Sequence, residues 1–169
     1  SNLKLATLES SIQGISRPFY LLKYALEKMN KSYDYIIIDC PPSLGLLTIN
    51  SLTAVDSVLI PIQCEFYALE GVSQLISTIE KVKERLNPEL TMEGVVFTMY
   101  DSRTNLSLQV VENVKQNLNH KVYNTLIPRN IRLAEAPSYG KPINMYDPKS
   151  AGAESYMSLA EEVIKRNKM

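Results

Sequence analysis

Tyr35-Ile36-Ile37-Ile38-Asp39-Cys40-Pro41-Pro42-Ser43 is the stretch whose reading sets the fold class. Residues 35–38 form a short, continuous, β-branched run without alternation, which predicts a parallel strand buried on both faces. The two prolines end it, because a residue without an N–H cannot extend the ladder. In open α/β sheets ligands bind beyond the carboxyl ends of the strands, so the acid at this tip comes first for scrutiny. Asp39 has two readings. A carboxylate held there orients Mg²⁺, directly or through a coordinated water, as in nucleotide hydrolases; alternatively it ends the strand and caps the next turn.

Three further runs repeat the pattern at residues 57–62, 94–99 and 122–127. Between them the apolar residues take helical spacing. Pro18 opens an amphipathic segment over 18–29, with Ser16 as candidate cap and Leu21, Leu22, Ala25, Leu26 and Met29 on one face. Leu69, Val72, Ile76, Ile79, Val82 and Leu86 line a long helix that Asn87-Pro88 terminates. Val111, Val114 and Leu118 mark another, and Tyr156, Leu159, Ala160, Val163 and Ile164 the last. Strands alternating with helices of this length specify an α/β fold with right-handed βαβ crossovers. No internal repeat or linker interrupts it, so residues 1–169 read as one domain.

The other strand ends divide in the same way. Glu65 and Glu70 precede or open a helix, where the dipole favours acids, and read as structural. The polar segment 98–105 either lines a nucleotide-base pocket or caps the next helix. Arg129 and Arg132, in a loop punctuated by Pro and Gly, are poised for phosphate or carboxylate contacts through the guanidinium fork, or are simply solvated. Cys40 reads as a small apolar filler and His120 as a turn residue.

Composition narrows the function classes. Of 169 residues, 45% are apolar, and 18 Lys+Arg balance 18 Asp+Glu, which excludes a uniformly basic nucleic-acid coat. Residues 101–150 nevertheless carry seven basic against four acidic side chains, so a local cationic surface remains open beside the reading as solvated helix faces. Two cysteines 24 residues apart and one histidine supply neither a disulfide framework nor a four-ligand zinc site. No window suggests a membrane span or a signal peptide, and a reducing cytoplasm is expected.

The blocks YDYIIIDCPPSLGLLTINSL, VLIPIQCEFYALEGV, GVVFTMYDSRTNLSLQV, IPRNIRLAEAPSYGKPI and GAESYMSLAEEV together resemble the bacterial ParA/Soj partition ATPases, in that family's order and at about its spacing. The resemblance implies a P-loop NTPase-like, mostly parallel sheet with flanking helices. It also implies ATP and Mg²⁺ as ligands, an ATP-state homodimer, nonspecific DNA binding and stimulation by a ParB centromere-binding partner, in the bacterial cytoplasm at the nucleoid and without a membrane anchor. By position, Asp39 matches the Walker B acid, holding Mg²⁺ indirectly, and Cys40, Pro41, Pro42 and Ser43 the start of switch II. Thr98, Met99, Asp101, Pro128, Arg129 and Asn130 fall in nucleotide-binding segments, and Arg103 and Arg132 at DNA-binding positions.

One departure is large. Gly14, Gly45, Gly71, Gly94, Gly140 and Gly152 never take the spacing of G-x-x-x-x-G-K-[ST], so the phosphate-binding loop of the resembled family is missing from these residues. Phosphoryl transfer relies on positioning and charge, so this chain alone is not expected to hydrolyse ATP or to bind it tightly. Starting at Ser1-Asn2-Leu3, it reads as the C-terminal part of a longer ATPase. The alternative is a stand-alone, non-catalytic module that binds DNA or a partner.

Overall fold

In the computed structural model a three-stranded sheet runs in the order β1 (Ser57–Gln63), β2 (Thr91–Tyr100), β3 (Val122–Pro128). The structure describes residues 17–40, 43, 45–65, 68–118 and 122–168, leaving out the side chains of 68–70. Strand β3 runs parallel to β2, with Val95 opposite Val122, Phe97 opposite Leu126 and Tyr100 opposite Pro128. On the other side of β2, the Thr91 N–H donates to Asp56 O and the Cys64 N–H to Thr98 O, so β1 advances in the same direction.

Residues 94–97 of the middle strand are buried in succession, as their unbroken apolar run predicts. Strand β1 behaves differently: Ile60, Ile62 and Cys64 are buried while Pro61, Gln63 and Glu65 are exposed. Among the described residues it is an edge strand, which tolerates Pro61, and the alternation leaves one of its faces exposed. The β2–β3 register breaks twice. Between the first two pairs β3 inserts two extra residues, and between the last two β2 inserts one. That second break contains Met99, whose φ of +54° lies in the left-handed region.

The contacts divide the chain into two compact units, Ser1–Val58 with Ser73–Met92, and Leu59–Val72 with Glu93–Met169. In the first, a 3₁₀ turn (Pro18–Tyr20) leads into α1 (Leu21–Glu27), which packs on α2 (Leu46–Ala54). Hydrophobic periodicity does not reveal α2, because its buried residues include Thr48, Asn50, Ser51 and Thr53. Each is satisfied: the Thr48 hydroxyl donates to Ser43 O, the Ser51 and Thr53 hydroxyls donate to carbonyls four residues back, and Asn50 Nδ2 reaches Pro18 O at 2.8 Å. Helix α3 (Ala68–Arg85) ends just before Asn87, whose buried amide donates to Leu52 O (3.0 Å) and Val55 O (2.8 Å). Replacing Asn87 with Ala orphans both carbonyls and is expected to lower stability by about 1–3 kcal/mol in urea denaturation.

The strand expected at 35–38 is not formed. Ile36 is 51% and Ile37 92% exposed, and Cys40 is exposed rather than a core filler. A strand buried on both faces requires a ladder on each side, and among the described residues the sheet has three strands, of which this segment is not one. The helix expected over 18–29 is present in shorter form; its candidate cap Ser16, like His120, lies outside the described residues.

The second unit adds α4 (Asn105–Leu118), two short helices, α5 (Ile131–Glu135) and α6 (Ile143–Tyr146), and α7 (Ala151–Arg166), capped by the Ser150 hydroxyl. Helix α7 packs on β3: Leu159 joins Val96, Tyr123 and Ile127 in a core bordered by Leu59, Leu133 and Val163. Tyr156, Ala160 and Ile164, expected on its buried stripe, are exposed. Glu162 and Arg166 face the sheet instead. The Glu162 carboxylate accepts from the Asn124 N–H (2.9 Å), the Thr125 N–H (3.0 Å) and the Thr125 hydroxyl (2.8 Å), and pairs with Arg166 at 2.7 Å. Arg166 also donates to Val122 O and lies 3.9 Å over the Tyr123 ring.

Burial pushes the Glu162 pKa up, but the backbone N–H of Asn124, the hydroxyl and N–H of Thr125 and Arg166 outweigh it, so the net shift is downward. A depressed carboxylate stabilises the fold above its unfolded pKa of about 4.3, and that contribution disappears as pH falls through the lower folded value. Acid titration of the urea midpoint should therefore fall more steeply for the wild type than for Glu162→Gln.

Candidate functional site

At the carboxyl ends of the three strands the second unit opens into a cleft of about 570 Å³. Strand β1 contributes Pro61 and Gln63 from its open face, β2 contributes Thr98 and Met99, and the tip of β3 contributes Ile127 and Pro128. Arg129, Asn130, Ile131, Leu133 and Ala134 close one side, and Tyr156 reaches in from α7. The register breaks make this space: β2 turns left-handed at Met99, while the Arg129 N–H extends the ladder to Tyr100 O at 2.9 Å before the chain turns away. Asn130 then caps α5, its Oδ1 accepting from the Arg132 N–H at 2.9 Å, which leaves its amide N–H groups for a ligand.

Among the described residues, Arg129 is the only charged side chain on the wall, and it is already committed. Its guanidinium donates to Glu65 at 3.0 Å, with both side chains about half exposed. The remaining lining is mostly apolar, interrupted by the amides of Gln63 and Asn130 and the hydroxyls of Thr98 and Tyr156. Such a surface suits a flat ring with a few polar edges better than a polyphosphate, whose charge calls for unpaired cations and convergent N–H groups.

The predicted site residues are only partly assembled. Thr98, Met99, Pro128, Arg129 and Asn130 meet in the cleft; Asp101 does not line it. The Arg103 guanidinium grips the Asp101 carboxylate with bonds of 2.9 and 2.7 Å, and the Arg103 N–H adds a third of 3.0 Å. These donors, the side chain first, hold the Asp101 pKa down to about 2. With Thr104 accepting from the Ser107 N–H, the segment after Met99 is a turn and helix cap. Of the segment 98–105, Thr98 and Met99 line the cleft and Asp101 to Thr104 form the turn and cap.

Arg132 is also paired. It contacts Glu135 at 2.9 Å and Asp147 at 3.5 Å, tying α5 to the end of α6, while the Tyr146 hydroxyl donates to the same Glu135 and its ring stacks on Tyr139. Arg103 and Arg132 remain 86% and 52% exposed. Asp39, Cys40 and Ser43 belong to the first unit and do not line the cleft, and Pro41 and Pro42 lie outside the described residues. Among the described residues no group of three His, Cys, Asp or Glu side chains could hold a metal ion, and Asp39 is exposed. Cys64, buried at the end of β1, has its thiol pushed up to about 11 by desolvation, which disfavours the reactive thiolate.

Gln63, Ile131, Leu133, Ala134 and Tyr156 were not anticipated as cleft residues. The alternation of Ile60, Ile62 and Cys64 against Pro61 and Gln63 was the available signal for Gln63. Leu133 is placed by the close approach of α7, where a Cβ added at Gly152 would lie 2.6 Å from Leu133 Cγ. Gly152→Ala is therefore expected to push Leu133 toward the cleft and cost about 1–3 kcal/mol, measured by thermal unfolding.

The AAA_31 family, described as an AAA domain, matches residues 1–92. The sporulation initiation inhibitor protein Soj of Bacillus subtilis is 65% identical over 142 residues, covering 84% of this chain and 56% of that protein. The chromosome partitioning protein ParA of Myxococcus xanthus is 58% identical, covering 88% of this chain and 52% of that protein. A crystal structure of cobyrinic acid a,c-diamide synthase from Mycobacterium smegmatis with bound ADP and magnesium superposes with a TM-score of 0.83 at 37% identity, covering 99% of this chain and 61% of that one. The chain thus spans between half and two-thirds of the length of these proteins.

Proposed function

The chain belongs to the ParA/Soj family of chromosome-partitioning proteins and has its P-loop NTPase-type, mostly parallel sheet, and from that premise we propose that its cleft is the base-side wall of an ATP site. The observation that carries this reading is the cleft itself: at the strand ends, largely apolar, with its cation held by Glu65, the Thr98 hydroxyl turned to Ile62 O, and amide groups and the Tyr156 hydroxyl on its wall. The ring of ATP lies there, and Mg²⁺ and the triphosphate are held elsewhere in the complete protein, where Asp39 acts as the Walker B acid and residues 40–43 as switch II. In that protein ATP drives homodimerisation and nonspecific DNA binding, and a ParB-like partner stimulates hydrolysis, in the bacterial cytoplasm at the nucleoid. Among the described residues no helix is long and apolar enough to cross a membrane.

Arg103 and Arg132 supply DNA contacts through the guanidinium N–H groups that Asp101, Glu135 and Asp147 do not occupy. Such contacts to phosphates are sequence-independent and weaken with salt.

A fluorescent ATP analogue titrated into this chain should bind weakly and be displaced by adenosine about as well as by ATP. Displacement by tripolyphosphate but not by adenosine contradicts the base-side assignment. In DNA retention assays, Arg103→Ala and Arg132→Ala should each weaken binding uniformly across sequences and lower the salt slope by about one. Unchanged retention removes these residues from the DNA surface, and full retention without nucleotide favours the stand-alone module.

A further inference from the structure

The shape of the cleft depends on a carboxylate that does not line it. We propose that Glu162 is a positioning residue for the ligand wall: by holding Asn124 and Thr125 of β3 from α7, it sets where Ile127 to Asn130 stand at the strand tips.

The argument starts from the ladder. An unbroken parallel pairing from Val95 and Val122 would place Asn124 opposite Phe97, yet Leu126 occupies that position. Two residues of β3 are therefore extra, and their N–H groups need acceptors. Glu162 provides both, Oε1 to Asn124 at 2.9 Å and Oε2 to Thr125 at 3.0 Å, and the Asn124 amide and Thr125 hydroxyl bind the same two oxygens. Bulges of this kind re-aim side chains near functional sites.

Hydrophobic patterning cannot hold this register. Side chains alternate with a period of two, so sliding β3 by two residues keeps the same face inward while moving its tip by about 6–7 Å. The polar clasp is what discriminates between the two registers, since slipping would abandon four hydrogen bonds to Glu162 and leave its carboxylate with Arg166 as its one remaining partner. Arg166 reinforces it from α7 by joining Glu162 to Val122 O. The groups facing this carboxylate are Arg166 of α7 and Tyr123 of β3, with Glu93 of β2 accepting the Tyr123 hydroxyl behind it. The same helix carries Tyr156 to the cleft, so one element sets both the strand tip and the opposite wall.

The ligand part of this proposal rests on the base-side reading; the positioning part does not. In NMR spectra of the ligand-free chain, Glu162→Ala should move the Arg129 amide resonance, which reports the bond to Tyr100 O, and the Met99 methyl. Glu162→Gln, which keeps one carbonyl oxygen, should move them less in the same direction. Val114→Ala, a buried change on α4 outside the cleft, should lower stability and leave both signals in place. Adenosine affinity should drop about tenfold in Glu162→Ala and stay within about twofold in Val114→Ala. Unmoved Arg129 and Met99 signals, or equal movement in Val114→Ala, overturn the proposal. If Glu162→Ala does not fold, Glu162→Gln decides by the same resonances. If wild-type protein takes no adenosine, the base-side reading fails and the resonances still decide the positioning role.

Discussion

Residues 94–97 of β2 are buried in a row, so every backbone N–H and C=O there must find a protein partner on one side or the other. The flanking strands are held by that demand, and departures from the regular ladder are confined to places where another group compensates. There are two. Glu162 supplies acceptors for the extra residues of β3, and Met99 absorbs the extra residue of β2 in a left-handed conformation that a non-glycine residue rarely adopts. The cleft lies directly beyond the second break, so the ladder's irregularities and the ligand wall are consequences of one constraint.

The distribution of charge follows a related logic. Arg103, Arg129, Arg132 and Arg166 all face carboxylates, and three of those carboxylates, Asp101, Glu135 and Glu162, have depressed pKa values because of the hydrogen bonds they receive. The exposed pairs of Arg103, Arg129 and Arg132 contribute little stability individually, but they fix the turns around the strand ends, whereas the Arg166–Glu162 pair is largely buried. They also keep strong unpaired charge out of the cleft, leaving amide, hydroxyl and apolar groups to select a ligand. A flat ring fits that environment, whereas phosphate groups need a different one.

Much of the second unit was legible in the sequence, because its apolar runs are buried by neighbours within the same stretch of chain. The runs at 94–99 and 122–127 became strands, and Pro128, Arg129 and Asn130 gathered at their tips as expected. The run at 35–38 did not, although its residues are as β-branched as any: side-chain pattern states what a segment requires, not whether a pairing edge is present to receive it. Helix α2 was missed for the opposite reason, since four of its five buried residues are Thr, Asn or Ser, beside Leu52, and leave no periodic apolar signature. Asp101 was grouped with the nucleotide site through its neighbours, and local chemistry claimed it for Arg103. Glu162 gave no signal and Tyr156 only that of a core residue on the helix stripe, because a charged or aromatic residue on a surface helix looks the same whether it faces water, a bulge or a ligand.

The most direct test of the account is amide chemical-shift mapping as adenosine is added to the isotopically labelled chain. The account predicts perturbations at Gln63, Thr98, Met99, Arg129, Asn130, Ile131 and Tyr156, with Asp101 and Arg103 little affected. Saturable perturbation centred on another surface, with these residues unmoved, would contradict the assignment of the strand-end cleft as the base-binding wall.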